Sequence, residues 1–238
     1  MPTIIYLTAV AMVTYSFEIV FGLGGTMLLL PIMRVFFDAK TLVMYSAMPQ
    51  ILVGSIGLAR SRVKVDARFL TPMLAYAAAG AAIGTLIFYR LPQGLFQRLL
   101  GTMVIFAGAS LVTGSTRSRI GRRGAHVLDT LAGASQALFG ISGPIAMLRL
   151  LGTRDDKASV RSHAFAFFLV LNILRLAGYA AYGTLTAATI RLMLLSAPFL
   201  ALILWHADRL HLRISETWFR RVVAGVIMAG GCSLFFRG

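Results

Sequence analysis

One glycine-rich motif is written twice in this chain, and both copies sit inside long apolar stretches. Glu18-Ile19-Val20-Phe21-Gly22-Leu23-Gly24-Gly25 returns 118 residues later as Gln136-Ala137-Leu138-Phe139-Gly140-Ile141-Ser142-Gly143. Glycine tolerates conformations that end a helix and lets backbones approach closely. Inside a bilayer the N–H and C=O groups freed by such a break need protein, a water-filled cavity or a ligand. A duplicated, broken apolar segment therefore points to paired membrane repeats whose helices are interrupted at a binding site.

The rest of the composition fits that reading. Of 238 residues, 58% are hydrophobic and only 13% charged, too apolar for an ordinary soluble domain. Apolar segments run over 4–37 (interrupted by the first motif), 42–59, 70–89, 99–111, 127–150, 164–182, 192–205 and 222–236. Several approach the ~20 residues that cross a bilayer. The expectation is an all-α integral membrane protein. Residues 1–17 lack a basic region and a small-residue cleavage site, so they read as mature sequence. The single Cys232 cannot form an intrachain disulfide and reads as a small buried hydrophobe.

The net charge of +15 lies in short loops between the apolar segments, as expected beside an anionic leaflet. No aromatic–basic recognition module accompanies it, which argues against nucleic acid as a partner.

The repeat extends past the glycines. Asp38 aligns with Asp156 at the same offset, and Phe96-Gln97-Arg98 with Phe219-Arg220-Arg221. This divides the chain into a first membrane repeat (1–112), a basic linker (113–124) and a second membrane repeat (125–238). If all eight segments cross fully, Lys and Arg divide 10 against 12 between the two sides, with no positive-inside bias. If segments one and five fold back at their glycines, the division becomes 16 against 6. The second arrangement obeys the positive-inside rule. It makes each repeat a re-entrant, glycine-broken helix plus three transmembrane helices, and it inverts one repeat relative to the other.

Candidate site residues cluster at the breaks. Gly22, Gly24, Gly25 and Thr26 in one repeat, and Gly140, Ser142 and Gly143 in the other, surround helix starts whose free amides attract anions. Pro144 suits a first helical turn, where its missing N–H costs nothing. Close helix packing through small residues is the structural alternative. Glu18 and Gln136 are repeat mates; Glu18 is the candidate carrier of a coupling proton, or a bracing carboxyl. Arg175 lies deep in its segment, with Asn172 on the same helical face. Its planar guanidinium suits an oxyanion, and a salt bridge to Glu18 or Asp129 is the competing reading. Ser46 and Gln50 form a polar stripe that lines the same cavity or joins two helices.

Other features read as bland. His163 reads as interfacial. His206, Asp208 and His211 lack a fourth ligand, so no metal site is expected. The arginines of the linker read as a topology determinant.

These paired motifs, Phe-Gly-Leu-Gly-Gly and Phe-Gly-Ile-Ser-Gly-Pro, with four apolar segments per half and a basic linker, resemble the sulfite exporter TauE/SafE family over essentially the whole chain. Ser142 stands where a glycine is common, Thr26 where glycine or proline often follows, and Arg175 is not part of the resemblance. The resemblance implies a multi-pass permease of the bacterial inner membrane for sulfite, sulfonates or related organic anions, with no cofactor.

The combined reading is a secondary transporter, not an enzyme, for a small anionic substrate. It has the lipid bilayer as its surroundings and protons as the candidate coupling ion; a homo-oligomer stays open. A passive anion channel is the alternative. A membrane-embedded enzyme lacks a nucleophile–base pair, and an assembly subunit is the remaining reading.

Overall fold

A computed structural model describes residues 2–21, 24–113, 120–153, 156–207 and 224–232. Among these, the protein is all helical, with no strand. Three helices follow a broken first segment before the linker: α1 (Pro2–Phe21) and α2 (Gly25–Met33) make the broken segment, then come α3 (Ala39–Arg60), α4 (Ala67–Arg90) and α5 (Gln93–Thr113). The second half follows the same order: α6 (Arg122–Phe139) and α7 (Gly143–Leu151), then α8 (Lys157–Ala181), α9 (Ala187–His206) and α10 over 224–232. Among the described residues five helices, α1, α3, α4, α8 and α9, are long and apolar enough to cross a membrane. The chain is a multi-pass membrane protein.

Several helices start earlier than hydrophobicity alone indicates, because polar caps lie outside the apolar runs. The Asp38 carboxylate accepts from Thr41 N at 2.9 Å, Asp66 from Arg68 N at 3.0 Å, and Asp156 from Ser159 N at 2.8 Å. Thr186 accepts from Thr189 N at 3.2 Å. Each cap satisfies an amide that the helix cannot pair internally.

Contacts between helix ends define two ends of the bundle. At one, Lys40 in the first turn of α3 donates to Phe88 O (3.0 Å) and Leu91 O (2.7 Å) at the end of α4. Tyr89 and Tyr182, 5.4 Å apart, bring the end of α8 to the same place. At the opposite end, Ser61 after α3 bonds Ser162 of α8, and His163 Nε2 accepts from Asp66 N at 2.9 Å. Thus α3 runs opposite to α4 and α8.

Both broken segments fold back. Tyr15 and Thr26 join their hydroxyls at 3.0 Å, while the Tyr6 and Phe36 rings stack at 6.2 Å. From Tyr15 to Tyr6 and from Thr26 to Phe36 are near-equal distances at 1.5 Å per residue, so α1 and α2 are the legs of one hairpin. It starts and finishes at the end where α3 begins.

The second hairpin uses the other end. A Cβ at Gly133 of α6 would lie 1.8 Å from Ala77 O of α4, and one at Gly84 only 2.4 Å from Ala134 O, so α6 and α4 pack backbone to backbone and run the same way. At the end of α7, Arg149 Nε lies 3.3 Å from Asp129 Oδ1 of α6, and its guanidinium covers the Phe69 ring at the start of α4.

Cys232 departs from its sequence reading: it is exposed. His163 is fully buried at the end of the bundle where α4 begins: its Nδ1 faces Ser159 O at 2.7 Å while Nε2 accepts from Asp66 N.

Candidate functional site at the paired helix breaks

The two breaks come together between α3 and α8, the pair of helices at the centre of the bundle. Gly24 and Thr26 of the first, and Gly140, Ile141, Ser142 and Gly143 of the second, line one small cavity. Glu18, Gln50, Gln136, Met27 and Phe168 complete its wall. Its volume is about 20 Å³, room for about one water. Gly22 lies outside the described residues.

Left-handed backbone makes each break. Gly24 has φ 116° and precedes α2; Gly140 has φ 70° and closes α6. A side chain at Gly140 would also meet Arg175, its Cβ 2.4 Å from Nη1. Glycine is thus required there twice, for conformation and for room. Pro144 occupies the first turn of α7.

At the first break the Glu18 carboxyl faces the backbone amides of Gly25 and Thr26, the opening turn of α2, and the Gln50 side chain. Its Oε2 has no hydrogen-bond partner. Tyr15 packs against the same turn, within 2.4 Å of where a Gly25 Cβ would stand.

At the second break nearly every polar atom is engaged. Gln136 Nε2 donates to Gln50 Oε1 (2.8 Å) and Asn172 Oδ1 (2.9 Å), and Gln136 Oε1 accepts from Ser142 Oγ (2.6 Å). Ser135 Oγ donates to Ile141 O across the turn. Gln50 Nε2 donates to Gly140 O at 3.3 Å.

Arg175 is fully buried, and its partners are all neutral. It donates to Gln136 O (3.1 Å), Ser46 Oγ (3.0 Å) and Gln50 Oε1 (3.4 Å), leaving Nε unpaired. Asp129 pairs with Arg149 instead. Asn172 and Arg175 do not reach the cavity wall; they stand one layer behind it and hold Gln136 and Gln50. The sequence put both on one helical face but could not say which neighbours they would meet.

Three groups escaped the sequence reading. Tyr179 donates to Ala137 O (2.5 Å) and Arg161 to Ile19 O (2.5 Å). Ile19 and Ala137 are repeat mates, so α8 caps the tip of each hairpin, one near each end. Arg161 and Tyr179 are 18 positions apart, about 27 Å along the helix. Phe168 supplies an apolar wall to the cavity. Tyr179 lies one turn beyond Arg175 on the same face, the only signal that could have found it. Asp208 and His211 lie outside the described residues.

A helical membrane protein with two fold-back breaks meeting at a buried, cationic, polar centre has the organisation of a permease for small solutes. Residues 7–234 match the family described as sulfite exporter TauE/SafE, and the chain belongs to it. No curated protein and no solved structure matches the chain.

Proposed function

We propose that this protein is a secondary transporter that carries a small anion, sulfite or a related sulfur oxyanion or organosulfonate, by exposing the paired-break site alternately to the two sides of the bacterial inner membrane. The observation that carries this reading is Arg175: a buried guanidinium whose hydrogen-bond acceptors are all neutral, beside a cavity lined by two helix starts. A buried cation whose hydrogen bonds all go to neutral acceptors is costly in the membrane interior and attracts an anion.

The two halves act as inverted repeats. In support, the first hairpin belongs to the end where α3 begins and the second to the end where α8 begins. With the end carrying Arg60, Arg62, Lys64 and Arg68 facing the cytoplasm, the loops obey the positive-inside rule. The break residues Gly24, Gly25, Thr26, Gly140, Ser142 and Gly143 contact the substrate, and Arg175 supplies charge from behind Gln136 and Gln50.

Glu18 couples a proton. The centre holds one fixed positive charge, balanced either by an ionised Glu18 or by a bound monoanion with Glu18 protonated. Exchanging one for the other keeps the buried site neutral and links one proton to one anion. The cavity is too small to pass an oxyanion in this conformation, which supports alternating access over a permanently open channel.

The test is sulfite flux in proteoliposomes with an imposed pH gradient. Wild-type flux is expected to saturate and to rise with the gradient. Glu18→Gln is expected to keep sulfite–sulfite exchange but lose the response to the gradient. Retention of that response would remove Glu18 from the coupling role, and absence of saturation would favour the channel.

A further inference from the structure

A second cavity opens where α3 ends and α8 begins. Its volume is about 340 Å³, and four basic residues, Arg60, Arg62, Lys157 and Arg161, line it together with Ser61 and Ser162. Arg62, Lys157 and Arg161 are exposed. Across the described residues of its wall there is no carboxylate; Asp156, the cap of α8, accepts from Ala158 N and Ser159 N. Like charges gathered around a concave wall repel one another and raise the local concentration of anions.

This cleft and the cavity between the breaks lie on one stripe. On α3, Gln50 faces the inner cavity and Gly57 the outer, with Gly54 between them, a spacing of i, i+4, i+7 that keeps one helical face. On α8, Phe168 faces the inner cavity and Phe165, one turn earlier, the outer. The separation is about 10 Å along α3. Between the cavities the helices are in close contact: a Cβ at Gly57 would lie 2.6 Å from the Phe165 ring, and one at Gly54 2.9 Å from Leu169 Cβ. Arg161 joins the two regions directly, covering the Phe165 ring at 5.3 Å and donating to Ile19 O, one residue from Glu18.

We propose that the basic cleft is a second anion site, which captures a small oxyanion at the mouth of the path, with the Phe165 ring on Gly57 closing the way inward. The place on a path rests on the transport reading above; anion binding by the cleft does not. The ligand chemistry is a compact oxyanion held by guanidinium and ammonium groups. A free oxyanion and a lipid phosphate both offer that chemistry.

Trp205 supplies a reporter. The Arg60 guanidinium lies 4.8 Å from its ring centroid, so an anion drawn to Arg60 perturbs the indole. The chain has two tryptophans, and Trp218→Phe leaves Trp205 alone. Titrating sulfite into this variant in nonionic detergent is expected to give a saturable fluorescence change. Arg62→Gln combined with Lys157→Gln is expected to raise the half-saturating concentration at least tenfold. A change that does not saturate, or a half-point moved by less than twofold, overturns the proposal.

Reconstitution separates the two sources. In vesicles of phosphatidylcholine the sulfite response is expected to persist. If adding phosphatidylglycerol alone produces the change and abolishes the sulfite response, the cleft holds a lipid phosphate and the capture role falls. Saturable binding in a protein that moves no anion would leave the cleft standing and overturn the transport reading instead.

Discussion

The two hairpins share a motif and a fold-back, yet they differ in how fully the protein has engaged their polar groups. In the second, the Gln136 side chain meets Gln50, Asn172 and Ser142, and the carbonyls of Gln136 and Ala137 meet Arg175 and Tyr179. α6 is seated on α4 through glycines, and Asp129 with Arg149 ties its legs together. In the first, the repeat mates of Asp129 and Arg149 are Ala11 and Pro31, which carry no charge. Glu18 keeps Oε2 without a partner. One copy of the motif has become a fixed wall; the other retains bonding capacity that a proton or an anion can use.

The sharpest way to break that comparison is at the α4–α6 seat. A Cβ at Gly133 meets a backbone oxygen at 1.8 Å, and backbone cannot swing aside as a side-chain tip can. Overpacking typically costs about 1–3 kcal/mol, and more where backbone must move. Gly133→Val is expected to abolish the monodisperse peak in size-exclusion chromatography of the solubilised protein. Ala9→Val, on the exposed side of α1, is expected to leave it intact. Equal loss from both would mean that the first hairpin is as rigidly seated as the second.

The next test compares the repeat mates themselves. Gln136→Leu removes the partner of Asn172 Oδ1 and of the Ser142 hydroxyl and leaves Gln50 Oε1 only its long bond from Arg175, and each buried group left without a partner costs about 1–3 kcal/mol. Its melting temperature in detergent is expected to fall clearly. Glu18→Gln keeps shape and hydrogen-bonding capacity, and its expected cost is under about 1 kcal/mol. If the Glu18 variant melts as early as the Gln136 variant, the first break is as completely wired as the second.

The apolar runs made the helices legible, since a bilayer forces helical backbone wherever such a run is long enough. Their starts were less legible, because Asp66 and Thr186 act from outside the runs. The glycine pair located the breaks, and the loop charges pointed to the fold-back. What the sequence did not carry was long-range partnership. Arg175 read as a ligand contact because depth in a segment says nothing of which residues stand in front. Arg161 and Tyr179 went unnoticed because their partners are carbonyls more than 40 residues away, which any residue type supplies. His163 read as interfacial by position, and position could not show its partner, the Asp66 amide at another helix end.

The effect most specific to the first hairpin, and smaller than that of Gly140→Ala in the second, is expected at Gly24. Its φ of 116° disfavours any side chain, but a Cβ there meets nothing within 4 Å. Gly24→Ala therefore carries backbone strain alone, about 1–2 kcal/mol, whereas Gly140→Ala adds the collision with Arg175. If the first hairpin is the part that moves, Gly24 changes conformation between the outward and inward states, and the strain falls on only one of them. A bias of that size shifts a two-state balance by roughly tenfold. Gly24→Ala is then expected to cut maximal sulfite flux several-fold while the melting temperature drops little. A flux that falls only in step with the folded fraction would show the first break to be as static as the second.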